Sequence, residues 1–257
     1  MRPAQTTSLL DRAKSLLRAA LAAPGRAKRP PPPPHDDFGG LSSTEVFTKV
    51  YATRTWGTDA EPGSRFYSGG GSRDEAVVGP YVSAVTAFIA SLERRPDLVD
   101  LGCGDFAVGA RIRPACARYV ACDVVAALVE DLARRYPDLD VRFVTCDIAR
   151  DDLPDGDVAT LRQVLQHLSN ADIAEVLPKV AERYRYLILT EHLPHGAFVP
   201  NLDMPTGPGI RVHRCDPPSG VVVTEPPFGL PAEARRELCR VEQPDGVIVT
   251  TLYTLRS

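Results

Sequence analysis

Neither sign of charge prevails in this 257-residue chain. Its 30 Lys and Arg stand against 33 Asp and Glu, a net charge of -3, so no global field draws it to nucleic acid or to an anionic membrane. No apolar run approaches the roughly 20 residues that a membrane helix requires, which predicts a soluble protein. Cys103, Cys116, Cys122, Cys146, Cys215 and Cys239 form no CxxC pair and no metal-ligand cluster. Several lie in apolar runs, where a free cysteine is a small buried residue, and the pattern reads as a reducing, cytoplasmic compartment. What is present is ordinary: with 44% hydrophobic and 25% charged residues, the chain can bury a full core in one domain plus an extension.

The extension is expected at the N-terminus, over residues 1–40. Leu9, Leu10, Ala13, Leu16, Leu17, Ala20 and Leu21 share one helical stripe, with Arg12, Lys14 and Arg18 off it. A five-proline run then forms a stiff spacer. Such a basic helix could touch a membrane surface or a partner, resemble a targeting peptide, or be a surface helix or tail. Residues 41–95 read as a helical cap. SSTE, at 42–45, is a capping box before one short helix, and a second box at 72–75 precedes a long helix over about 73–94.

From Asp97 onward the period changes. DLVDL, RYVACD, VRFVTCD, DVATL and YRYLILTEH alternate with helical segments, the pattern of an α/β domain with a parallel sheet. LCRVEQPDGVIVTTLYTL carries two β-rich segments around Pro-Asp-Gly, predicting a closing antiparallel hairpin.

The chemistry concentrates in LVDLGCGDFAVGARI, residues 98–112. A strand ends at Leu101, Gly102 and Gly104 allow a tight turn beside a ligand, and a helix is expected near Phe106. With Ala107 the spacing also satisfies a GxGxxA dinucleotide fingerprint, and Asp123 could hold a ribose. Asp100 argues against a nicotinamide cofactor, since a carboxylate beside a pyrophosphate is repulsive. A cationic ligand such as S-adenosylmethionine, with an ammonium, a sulfonium and no phosphate, removes the conflict. Asp147 closes a third strand, where an acid can accept a hydrogen bond from an adenine amino group. Asp100, Asp123 and Asp147 thus fall on the sheet edge where ligands of open α/β sheets bind.

On these motifs the chain resembles the class I S-adenosylmethionine-dependent methyltransferases. DLGCGD matches the family's first motif, ACD its acidic second strand and TCD its adenine-side acid, over about residues 97–193. The resemblance implies a Rossmann-like seven-stranded sheet with helices on both faces, filling residues 96–257. It also implies that Asp100, Gly102, Cys103 and Gly104 hold the methionine part, Asp123 with Val124 the ribose, and Asp147 with Ile148 the adenine. Phe106 stands where a third glycine is common, a departure that bears on the loop's geometry.

Arg162, Gln163 and His167 leave the fourth strand toward the position that, in that family, borders the transferred methyl. Arg162 is a further cofactor-side candidate, and Gln163, His167 and Glu191 are the catalytic ones. His167 could take a proton or fill a helix surface. His192 and His195 form an HxxH too sparse for a metal, and none is expected. The stretch FYSGGGSRDE, residues 66–75, could be a phosphate cradle, a hinge or a lid. With no phosphate in the ligand it reads as a lid, with Trp56, Tyr67 and Ser68 on the cofactor, or as a linker with buried aromatics. The insertion 194–230 is too long and too proline-rich for a passive loop. Within it Asn201, Asp203 and Arg211 are expected to meet the acceptor, unless they only satisfy the loop's own backbone. The expected activity is methyl transfer to an oxygen or nitrogen of a small sugar-, nucleotide- or amino-acid-like acceptor. A catalytically silent S-adenosylmethionine-binding module and an NAD(P)-dependent reductase are the alternatives.

Overall fold

The computed structural model describes residues 38–58, 64 and 66–256. The expected basic helix and the proline run lie outside them. Asp36–Ser257 forms one compact unit that contains both the cap and the sheet.

Two capped helices lead into the sheet. Helix α1, Ser43–Ala52, starts as the sequence predicts: the Ser42 hydroxyl accepts from Glu45 N, while the Glu45 carboxylate accepts from Ser42 N at 2.8 Å. Helix α2, Glu75–Ala90, departs from the expected second box, because Asp74 caps it by accepting from Ala76 N. Glu75 is drawn away to Arg111, at 2.7 Å. Val78, Tyr81, Val85, Phe88 and Ile89 of α2 pack on the sheet, so this helix belongs to the core layer and the cap proper ends before it.

The seven-stranded sheet comprises β1 (Leu98–Leu101), β2 (Tyr119–Asp123), β3 (Arg142–Thr145), β4 (Val158–Arg162), β5 (Tyr186–Leu193), β6 (Ala234–Gln243) and β7 (Gly246–Thr254), in the order β3-β2-β1-β4-β5-β7-β6. The first five strands are parallel, and β7 and β6 close the sheet antiparallel. Alternation puts Leu98 and Ala121 on the side of α2 and of α4, Ala126–Arg135, with its Leu128 and Leu132. Val99, Leu101 and Leu161 face the opposite core, where α5, Asn170–Arg183, and Val221, Val223 and Leu230 of the insertion pack. Two more helices are single turns, α3 (Gly109–Ile112) and α6 (Arg211–Arg214). Strand order reverses between β1 and β4, and ligands of open α/β sheets bind outside the carboxyl ends at such a point.

Candidate active site

The turn after β1 is bent back onto its neighbour: the amides of Gly102 and Cys103 both donate to Cys122 O, at 2.9 and 2.8 Å. That requires φ of +81° at Gly102 and +55° at Gly104, a region glycine enters at little cost. Phe106 holds the same left-handed region, φ +61°. This explains why glycine is common at that place, and it delays the expected helix from Phe106 to Gly109. The strain, of order 1–2 kcal/mol, is offset by burial, since the Phe106 ring meets Tyr119, Tyr136 and Phe143 edge-on at 5.0–5.6 Å.

The three acids line the carboxyl edge in different states. Asp100 is buried, accepting from Tyr119 Oη at 3.0 Å and Thr160 Oγ1 at 2.8 Å; burial raises its pKa against those two donors. Asp123 accepts from Gly104 N and Val125 N, at 3.1 and 3.0 Å, and desolvation lifts it to about 6. Asp147 is half-exposed beside buried Ile148, with its Oδ1 accepting from Ala149 N. Cys103 is enclosed in the turn, where burial and the Asp123 and Asp100 charges raise its thiol's pKa.

Over this turn lies the glycine stretch. Asp105, 1% exposed, is the joint: its Oδ2 accepts from Ser68 N at 3.2 Å and Arg73 Nη2 at 3.1 Å. In return its amide donates to Ser68 Oγ at 2.8 Å, and Ser68 shares a further hydrogen bond with Tyr51. A Cβ on Gly104 would stand 2.6 Å from Ser68 Oγ, and one on Gly71 2.6 Å from Gln163 Oε1. Arg162 Nη2 donates to Gly71 O at 2.7 Å while its guanidinium lies over the Tyr81 ring. Sequence reasoning missed Asp105, although it directly follows Gly104, and missed Tyr119 and Thr160, which only strand register brings to Asp100.

The cap and the insertion meet around His167. The Trp56 indole donates to Pro208 O at 3.1 Å, Gly207 N donates to His167 O, and His167 Nδ1 stands 3.1 Å from Gly209 O. Since a carbonyl only accepts, Nδ1 carries the proton, and burial among Trp56 and Phe47 lowers the pKa to about 4. The expected general base is therefore a fixed neutral ring that holds the Gly207–Gly209 segment. Gln163 has φ +56°, its amide bonded to Thr190 O and its side chain against Gly71, a strained position of the kind found at ligand sites. Glu191 is 3% exposed, and neither carboxylate oxygen closes a hydrogen bond. Burial raises it to about 8 against the attraction of Arg211 and the nearby amides of Leu165 and Gln166.

The three expected acceptor contacts are spent in holding the insertion, partly against the segment 165–170. Arg211, 1% exposed, donates to the carbonyls of Leu202, Leu165 and Leu168 and to Asn170 Oδ1. Asn201 Nδ2 donates to Val222 O and Pro226 O, and Asp203 Oδ1 accepts from Asn170 N and Met204 N. These residues fasten the loop, because a long irregular segment must satisfy its buried backbone from side chains. The two histidines of HxxH separate: His192 and His213 both face Asp245, while His195 Nε2 lies by Gln243 O. Among the described residues no group of three His, Cys, Asp or Glu is placed to hold a metal ion, and no helix is long and apolar enough to cross a membrane.

A glycine turn at the switch point, three acids on successive strand ends and a closing antiparallel hairpin define a Rossmann-like methyltransferase fold. Residues 99–185 match the family described as "Methyltransferase domain". That match and the fold support a class I S-adenosylmethionine-dependent methyltransferase, and the matched domain implies S-adenosylmethionine as cofactor. The reductase alternative falls. The chain is similar to magnesium protoporphyrin IX methyltransferase (ChlM) from Synechocystis PCC 6803 with bound SAM, at 15% identity and TM-score 0.54 over 85% of this chain and 99% of that one. It is similar to 1,6-didemethyltoxoflavin-N1-methyltransferase from Burkholderia thailandensis, at 18% identity and TM-score 0.51 over 82% and 86%. It is also similar to the N-methyltransferase NodS from Bradyrhizobium japonicum, at 14% identity and TM-score 0.51 over 71% and 89%. No curated protein matches. The residues are of the kind the cofactor needs: Gly102 and Gly104 form a cramped cradle, Asp100 and Asp123 are buried acceptors at strand ends, and Arg162 Nε is a buried donor without a partner.

Proposed function

We propose that the protein methylates an oxygen or nitrogen atom of a small polar molecule, in a site closed by the cap and the insertion. The observation that carries this reading is the Trp56 Nε1 bond to Pro208 O. It joins the cap to the insertion, 152 residues apart in the chain and beside His167, a closure that favours a small acceptor over a large one. Two of the similar structures are of enzymes named for small ring compounds, which agrees with the reading.

When bound, S-adenosylmethionine supplies a methyl group on a positively charged sulfur. Asp100, through the turn of Gly102, Cys103 and Gly104, holds the methionine half; Asp123 with Val124 takes the ribose hydroxyls; Asp147 with Ile148 meets the adenine. Tyr67 and Trp56 cover the site, and Gln163 with His167 shapes the side where the acceptor's lone pair approaches the methyl. Holding two reactants in register contributes about 7–11 kcal/mol, whereas a general base contributes about 3–5. A neutral His167 is therefore no obstacle, and Glu191 serves as a buried acid beneath the mouth.

Incubation with methyl-labelled S-adenosylmethionine and a fractionated metabolite extract tests this. Label is expected in a small-molecule fraction, together with S-adenosylhomocysteine. Label confined to protein or nucleic acid, or none with S-adenosylmethionine bound, would refute the small-acceptor reading.

A further inference from the structure

Around the glycine turn most polar groups already have partners. The Ser68 hydroxyl is taken by Asp105 N and Tyr51, and the Ser72 hydroxyl donates to Gly69 O at 2.8 Å. Ser72's proton is thus committed, and Ser68 Oγ already carries two partners. Arg73 is engaged by Asp105, with its Nε and Nη2 at 3.3 and 3.1 Å. Arg162 differs. It ends β4 beside the β1 turn, and among the described residues no carboxylate comes within ion-pair distance of it, since Asp100 and Asp105 act on it only through space. Its one hydrogen bond runs to Gly71 O, its ring contact is Tyr81, and its Nε is buried without a partner. An enclosed guanidinium with a donor unused is costly, and desolvation already lowers its pKa. The cost is recovered when an anion of fitting shape arrives. Arginine presents a planar fork that matches a carboxylate in two parallel bonds.

S-adenosylmethionine brings one anion, the carboxylate of its methionine half. We propose that Arg162 receives this carboxylate from the end of β4, and that its bond to Gly71 ties that reception to the seating of the glycine loop. Asp100 then answers the ammonium from below the turn, so opposite charges of the methionine half meet opposite charges of the chain. The proposal rests on the cofactor site described above and makes Arg162, with neither serine, the residue that recognises the amino-acid half.

Two ligands separate this role from a structural one. S-adenosylhomocysteine carries the carboxylate, and 5′-methylthioadenosine has the same adenosine and sulfur without the amino-acid half. Binding of each is measured by calorimetry to wild type, Arg162→Gln and Arg162→Lys, with the melting temperature taken alongside. S-adenosylhomocysteine is expected to bind about tenfold more weakly or worse to Arg162→Gln, the loss of a charge-assisted contact. Arg162→Lys keeps the charge and should lose less, while 5′-methylthioadenosine binds all three proteins within about twofold. Equal losses for both ligands, no loss for either, or two variants that do not fold would each overturn the proposal and leave Arg162 a support of the fold. A wild type that binds neither ligand would instead overturn the cofactor site itself.

Discussion

Glu191→Gln exchanges the buried carboxyl at the end of β5 for an uncharged amide of nearly equal shape. Glu191 has an ordinary value of 4.5 and is raised to about 8 by burial. Between those values the folded chain holds a proton that the unfolded chain has released. Stability from this group is thus fully present below about 4.5, is lost as pH rises at about 1.4 kcal/mol per pH unit, and is gone above about 8. From pH 6 upward the loss is roughly 3 kcal/mol, which at about 2–4 °C per kcal/mol corresponds to a melting shift of roughly 6–12 °C. The substituted amide does not titrate. The variant should already lead at pH 6, and its lead should widen by that amount at pH 9. Other groups, Asp123 among them, titrate alike in both proteins and cancel in the difference. Scanning calorimetry from pH 5 to 9 makes the comparison. Parallel curves would show that Glu191 is solvated or firmly paired, and the buried-acid reasoning would fail.

Arg211→Ala should remove about 3–5 kcal/mol of stability by stranding the carbonyls of Leu165, Leu168 and Leu202, so chemical denaturation will show a lowered midpoint; an unchanged midpoint would free Arg211 for an acceptor after all. Asp100→Asn should weaken S-adenosylhomocysteine binding about tenfold or more in calorimetry, because a charge-assisted contact of about 1.5–3 kcal/mol to the ammonium is lost; unchanged affinity would detach Asp100 from the site. Gly71→Val should weaken the same ligand several-fold with little change in melting, since its Cβ alone would press to 2.6 Å from Gln163 Oε1; full affinity would show that the glycine stretch is a linker only. Trp56 is the single tryptophan of the chain and lies 5.3 Å from His167, so quenching of its fluorescence by the protonated imidazole should set in near pH 4. A midpoint near the ordinary 6.5 would place that ring in water.

How much of this was legible in the sequence depended on whether the cause was local. DLGCGD announced a strand, a turn and an acid at the strand's end because period, glycine freedom and strand-end position are properties of a few consecutive residues. The same holds for SSTE, whose hydroxyl and carboxylate need only each other. Arg211 was misread for the opposite reason. Its partners Leu165 and Leu168 lie 46 and 43 residues earlier, and nothing in NLDMPTGPGIR tells whether a guanidinium faces a ligand or a carbonyl. His167 left two roles open in the sequence for the same reason, since its low basicity arises from Trp56, Phe47 and Gly209, which only the folded chain assembles. The left-handed Phe106 was visible as an odd residue in a glycine's place, while the aromatic cluster that tolerates it was not.

The account stands most directly on one titration: S-adenosylhomocysteine into the wild-type protein, followed at once by heat and by Trp56 fluorescence, with NADH as the comparison ligand. A saturable one-to-one signal in both channels is predicted for S-adenosylhomocysteine and none for NADH, since Asp100 beside the glycine turn suits an ammonium and repels a pyrophosphate. Saturable binding of NADH, or no binding of S-adenosylhomocysteine, would contradict it.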